Sequence, residues 1–561
     1  MSERPQATKS VFRASIALAQ RLFLVAACFV LPLGSVRAQT ARTWTGLGAN
    51  TSWQTAANWS GGVAPVANDT LIFGSAGVAV RPVANNNFPV GTNFGAILIT
   101  SGGYSLTGNA VVVGDVVRAS HVTGTTTLSL VIGGAARIEM TGAGTLSLSG
   151  ANTFSGGVVI QAGTVAGATT ATALGAASGV ITLGHTSGSE NATLRVGFAG
   201  TTANPIVVAA GSTGNTLSIT NTANATLSGA VVINHDVVFA PTLTSSLVVS
   251  GGVTGTGDVR VLGTGTTASL TFSTNAVNVT GRIVNQGTNT GTTSITGGIG
   301  ANVREISLES NTSALSVTTQ PITIGALGKT LVSTSTARLL SVTSGTVGTG
   351  DLVLTHNGTF ASGITLSTGA INHVGTVTNS GSGSAGVVVS APLGSAVTGM
   401  VQNSATSSLT LSGANTAYAG PLALSAGNLR IGSATALGGA GSPTGTGGTL
   451  TIAAGTRLDA SVASVVTTRN AQIWQGDFTL GGALALNTGP GAITVTSPTL
   501  TVSSGTGTTA LVTVPGAISG NTNLTVNVRG SVGFTFTGAI ATVGTLTHSG
   551  SGAGTTTLTG G

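Results

Sequence analysis

The chain repeats one of its own phrases. LSLSGANTFSGGVVIQAG, from Leu146 to Gly163, returns as LTLSGANTAYAGPLALSAG from Leu409. A third stretch, LVLTHNGTFASGITLSTGAI, from Leu352 to Ile371, aligns with Leu146–Val165 without a gap and sets Phe360 on Phe154. A lead-in also recurs, as GAGTLSL (142–148), GTGDVRV (255–261), GTGDLVL (348–354) and GAGTTTL (552–558). The shared pattern is apolar–x–apolar, a polar turn, Gly, apolar–x–apolar and a Gly turn. Catalytic motifs rarely recur within a chain, whereas a structural unit that stacks on copies of itself must. The copies are degenerate and unevenly spaced, so no single period stands out.

Between the copies, short segments alternate apolar and small polar residues: ILIT (97–100), LSLVI (128–132), LSIT (217–220), LTFS (270–273) and LTVNV (524–528). A period of two in β-branched runs, punctuated by Gly, Asn and Ser, predicts half-buried strands. After residue 38 no stretch carries a sustained 3.6-residue apolar stripe. A sandwich rarely runs past about 250 residues as one domain, and here the pattern continues to the end of a 561-residue chain. The expectation is an all-β, right-handed parallel β-helix (β-solenoid), because crossovers between parallel strands are right-handed in about 98% of cases.

Charge supports stacking. Only 6% of residues are charged while 41% are hydrophobic, with 87 Gly; disorder calls for the opposite balance. Stacked coils set equivalent residues opposite one another, and like charges directly opposite destabilise the pairing. Ser, Thr and Asn columns avoid that, and Gly and Asn are expected to supply positive-φ corners. The formal charge of +7 is largely local, since Arg4, Lys9, Arg13, Arg21 and Arg37 precede residue 39 and only Lys329 represents lysine after it. Without clustered Lys or Arg, nucleic acid is excluded as a partner.

Residues 1–38 read as a signal peptide: a cationic start, the apolar run LFLVAACFVLPL (22–33), and small Val36 and Ala38 before the cut. That run is too short to span a bilayer, and no transmembrane segment is expected in the mature chain. Cys28 is the only cysteine, and lipidation there is a minor alternative; the mature chain is expected to lack disulfides. Residues 39–75, holding Trp44, Trp53 and Trp59, are expected to form an N-terminal cap, with an aromatic sugar-binding platform as the alternative reading. Residues 76–561 are expected to form the solenoid, stopping part-way through a repeat.

The phrase LSLSGANTFSGGVVIQAGTV resembles the autotransporter-associated β-strand repeat (passenger-associated transport repeat) of bacterial surface and secreted proteins. The copy at 409 departs from it with Gly420–Pro421 and one inserted residue, and the copy at 352 with His356–Asn357–Gly358. The Trp-rich opening and RNAQIWQGDFTLGGALAL (469–486) are also similar to segments of such proteins. The resemblance implies a β-helical passenger, exported and exposed, adhesive or structural, and carries over no catalytic residue.

TIGALGKT (323–330) nearly matches a phosphate loop, but Thr323 stands at the first Gly position and no helical stretch follows. His235–Asp236 are neighbours on a strand and point to opposite faces. His121, His185, His235, His356, His373 and His548 show no metal-ligand spacing. Asp258 and Asp351 share a GTGD turn and read as turn caps. An ice-binding Thr–x–Thr face would need register on every coil, and TLT at 242–244, 499–501 and 545–547 is too sporadic. The expectation is an exported, non-catalytic structural or adhesive protein with no catalytic, cofactor or metal site. Its partner would be an unknown surface ligand, a glycan or another cell surface. A β-helical carbohydrate-active enzyme is the alternative; three or more charged side chains gathered in one groove would favour it.

Overall fold

The computed structural model describes residues 39–211, 216–439, 442, 444–505 and 509–560. The expected signal peptide and Cys28 lie outside the described residues. From Ala41 onward the chain winds as one compact unit of stacked coils, built almost wholly from strands of three to five residues. Every pairing between named strands is parallel and joins one coil to the next. The exception to the parallel rule is an antiparallel bridge between Trp44 and Trp59.

Strands collect into faces. The first face begins at Ala41–Trp44, passes through Thr70–Phe73 and Thr92–Ile99, and reaches Val277–Val279. It then continues by single bridges at Ile299, Ile371 and Leu393. Its first two strands therefore fall within 39–75. The second face is an open ladder of 21 strands, from Val83–Asn86 to Ile540–Thr542. Up to Val196 each coil supplies strands to these two faces. From Gly200–Thr202 a third strand enters each coil, and this third face carries 16 strands to Leu546–Ser549. From Ser464–Val465 a five-stranded fourth face appears.

Most strands read buried, half-buried, buried, as in Ile181–Leu183, Ile206–Val208 and Leu315–Val317. The apolar residues point inward and form one continuous cluster along the stack. Coil length drifts: side chains bonding to the next coil reach 21 residues on at Asn152, 22 at Asn224 and 25 at Asn357. That drift explains the missing fixed period.

Two local expectations change. A six-residue helix, Ser75–Val80, packs at the start of the stack. It carries Gly77 because a β-carbon there would lie 2.5 Å from the Trp44 carbonyl oxygen and from the Tyr104 hydroxyl. Asn is not the corner residue expected: of the six non-glycine residues with positive φ among those described, Asn68 is the one Asn and three are Thr. Corner Asn and Asp instead accept backbone N–H groups from the next coil. Ser382 N–H donates to Asn357 Oδ1 at 2.9 Å, and Thr545 N–H to Asn523 Oδ1 at 2.9 Å.

Candidate functional site

The repeated phrase is a clamp. Asn152 Oδ1 accepts the Ile132 N–H of the preceding coil at 2.9 Å, and Asn152 Nδ2 donates to the Ala173 carbonyl of the following coil at 2.7 Å. Asn415 does the same between Leu393 N–H (2.9 Å) and the Ala436 carbonyl (2.8 Å). Both amides are buried. The aromatic residue of each phrase, Phe154 or Tyr418, is fully buried; a glycine of the next coil, Gly175 or Gly438, lies against its ring at positive φ. Those glycines end a pentapeptide, ATALG, that recurs at 171–175 and 434–438. One coil later the pairing recurs again. Asn204 Nδ2 donates to Ala176 and Gly179, and Asn470 Nδ2 to Leu437 and Gly448. Thr202 and Thr468 donate to the oxygens of those amides at 2.6 and 2.5 Å. Phrase-by-phrase reading missed ATALG and the Thr–x–Asn pair, which comparison of the two flanks would have found.

The stretch at 352–371 is a different coil. Leu352–His356 lies on the second face, Ile364–Leu366 on the third, and Ile371 bridges on the first. Phe360 is half-buried, and the His356 ring occupies the corner between Ser333 O (3.2 Å from Nδ1) and Phe360 O (3.1 Å from Nε2).

The singled-out residues fall as follows. Trp44, Trp53 and Trp59 are buried with Phe73 and Phe94, at ring separations of 5.2–6.5 Å, and two of their indole N–H groups donate to backbone carbonyls. A sugar platform needs open ring faces, so the structure overturns that alternative. TIGALGKT runs strand–turn–strand, with Ile322–Ile324 and Lys329–Ser333 on two faces. Lys329 turns inward and its ammonium donates to the carbonyls of Gly300 (3.3 Å) and Val303; burial lowers it from 10.5 to about 8. A lysine committed to backbone carbonyls does not cradle phosphate. Asp258 and Asp351 do not cap their own GTGD turn but the next coil, accepting the N–H of Arg282 and of Thr376, each at 2.8 Å. Those bonds to Thr376 hold the Asp351 carboxyl below its ordinary range. His235 Nδ1 lies 3.2 Å from the backbone oxygen of Asp236, whose carboxylate instead accepts Asp258 N–H. The six histidines are not brought together. Burial lowers His121, His356 and His373 below 6.5.

Charge gathers at one place on the second face. Successive coils present Asp258 and Arg260, then Arg282 and Gln286, then Glu305 and Glu309. Arg282 bonds Asp258 at 2.9 Å and lies 3.6 Å from Glu305. Gln286 bridges Arg260 (3.0 Å) and Glu309 (2.7 Å). Asp258 first, then Glu305 and Glu309, hold the Arg282 guanidinium above its ordinary value. The set meets the number that would favour an enzyme, but it lies on an outward strand face with its charges bound to one another. Away from this cluster, the Glu139 and Asp351 carboxyls are both lowered, the direction opposite to that of a general acid. For Glu139, burial pushes up and the bonds from Arg118 and Arg137 outweigh it. Among the described residues no three His, Cys, Asp or Glu are grouped to hold a metal, and no helix is long and apolar enough to cross a membrane.

Comparison with known proteins meets this geometry at the clamps. The passenger-associated-transport-repeat family matches residues 138–166 and 406–431, the two coils that carry Asn152 and Asn415. The chain is also 36% identical over 121 residues to the adhesin BmaC autotransporter of Brucella suis biovar 1 (strain 1330). That stretch is 21% of this chain and 3% of the relative. No solved structure matches. The chain thus carries two matched copies of the passenger-associated-transport-repeat within a β-solenoid fold.

Proposed function

We propose that the chain is an exported, surface-exposed passenger-type solenoid that works as a structural or adhesive rod without catalysis. The observation that carries this reading is the repeat coil itself: its most specific residues, Asn152 and Asn415, serve backbone-to-backbone clamping rather than a pocket. The similarity to a protein named an adhesin supports the adhesive half. In the same reading residues 1–38 are removed on export and 39–75 seal the first coils with their buried indoles. The ligand belongs to the outward faces, a glycan or another cell surface. The mature chain, immobilised on beads, should retain target cells or an arrayed glycan and release no product from polysaccharides. Turnover of any polysaccharide, with no retention, would end the proposal.

A further inference from the structure

The third face holds a pattern that a search for Thr–Leu–Thr overlooks, in register over five coils where a face along the whole stack was required above. Five successive coils present TFS (271–273), SIT (294–296), SVT (316–318), SVT (341–343) and TLS (365–367). Strand register places the first hydroxyl of each triplet opposite the next, from Thr271 to Ser294, Ser316, Ser341 and Thr365. The central residue of each triplet is buried, and the flanking hydroxyls are half-exposed. The second hydroxyl column runs unbroken through nine coils, from Ser228 to Ser412, each backbone N–H after the first bonding the carbonyl one coil back. The side-chain hydroxyls of Thr271, Ser294, Ser316 and Ser341 have no protein partner among the described residues, and neither column contains a charge. The first column ends at Thr365, whose next register partner is Val388, and the second at Ser412, one coil before Arg430, which stands opposite Asp459.

We propose that this face binds the ordered water lattice of ice. Adjacent coils place hydroxyls roughly 4.8 Å apart, and alternate residues along a strand roughly 6.6 Å apart. In a tetrahedral lattice with O–H···O contacts of about 2.75 Å, second-neighbour oxygens lie about 4.5 Å apart and layers repeat at about 7.4 Å. The long direction of the array is thus the near match, and the poorer match spans a single interval. A crystalline polysaccharide fits less well, because stacking on sugar rings needs exposed aromatic faces, and Trp44, Trp53, Trp59, Trp474, Tyr104 and Tyr418 are all buried. The proposal rests on the reading of an exported, exposed solenoid that holds a surface, and it puts ice in place of a glycan or another cell as that surface.

The test is partitioning of the mature chain into slowly grown polycrystalline ice, measured as the protein concentration in ice relative to the remaining liquid. Ser316→Tyr disrupts the array at an outward position; Thr378→Tyr makes the same change on the second face. Circular dichroism and denaturant midpoints establish that each variant is folded. We expect enrichment in ice for the native chain and Thr378→Tyr, and at least about a tenfold loss for Ser316→Tyr. Exclusion of the native chain from ice, or equal enrichment of both variants, overturns the proposal. Retention on crystalline cellulose or chitin that Ser316→Tyr abolishes, without ice binding, also overturns it while leaving the adhesive reading standing.

Discussion

The cost of a substitution in this protein depends on whether the side chain bonds one coil or two. Asn152 and Asn415 each bond both neighbours from a buried position. Asn152→Ala orphans a buried N–H and a buried carbonyl, an expected loss of about 2–4 kcal/mol. Asn357 is exposed and caps one coil, and Asn357→Ala should cost about 1 kcal/mol or less. Urea unfolding of the two variants side by side checks the ranking, and equal losses would contradict the clamp. Lys329 gives a pH signature. Its folded value is depressed from 10.5 to about 8, so the unfolded chain binds the extra proton between those values. The Lys329 contribution to stability should grow with pH from about 8 to 10.5 and be absent below about 8. Lys329→Met should flatten that rise in denaturant midpoints. His121, His356 and His373 are also depressed, so their contribution is whole above pH 6.5 and lost as pH falls further. Amide protection at Ile371–Thr376, beside buried His373, taken relative to the intrinsic exchange rate at each pH, should fall below pH 6.5, and constant protection would show that the ring charges at no cost.

At the scale of the strand, the rule is which residues may stand opposite one another. Where two charges are register partners, they are of opposite sign: Arg118 against Glu139, Arg282 against Glu305, Arg430 against Asp459. Among the described strands no like charges are paired. Glu305→Lys would put two cations opposite each other and remove a partner of Arg282, with an expected loss of about 1 kcal/mol. Glu305→Gln should cost less, and the gap should shrink in high salt. Scarcity of charge was legible in the composition, and so was its reason. The pairs were not, because their members lie 21 to 29 residues apart at spacings that follow each coil's own length.

At the scale of the whole molecule, each coil meets its two neighbours and little else, so the stack should tolerate loss of a coil and resist loss of part of one. Removing residues 231–252 takes out one coil and lets Val253 assume the place of Val231, its register partner. That variant should keep its β-type circular dichroism and unfold with a slightly smaller denaturant slope. Removing 231–241 alone breaks the order of faces and should leave a chain that aggregates or exchanges its amides rapidly downstream. Retained order in the half-coil deletion would mean that the faces are not tied to each other as described.

The sequence by itself determined the class of fold. Alternation sets a strand's buried side, Gly and polar residues mark the corners, and near-absence of charge suits residues that stack on their equivalents. It also determined the two coils at 146 and 409, since their phrase is continuous along the chain. It did not separate them from the stretch at 352, because Phe154 and Phe360 look alike until one is seen enclosed and the other half-open. The number of strands per coil, the inward turn of Lys329, and the alignment of Ser and Thr into two columns were decided only by tertiary structure. Each depends on which residue lies one coil above another. That relation is fixed by where every corner closes, summed over all preceding coils, and no local run of residues contains it.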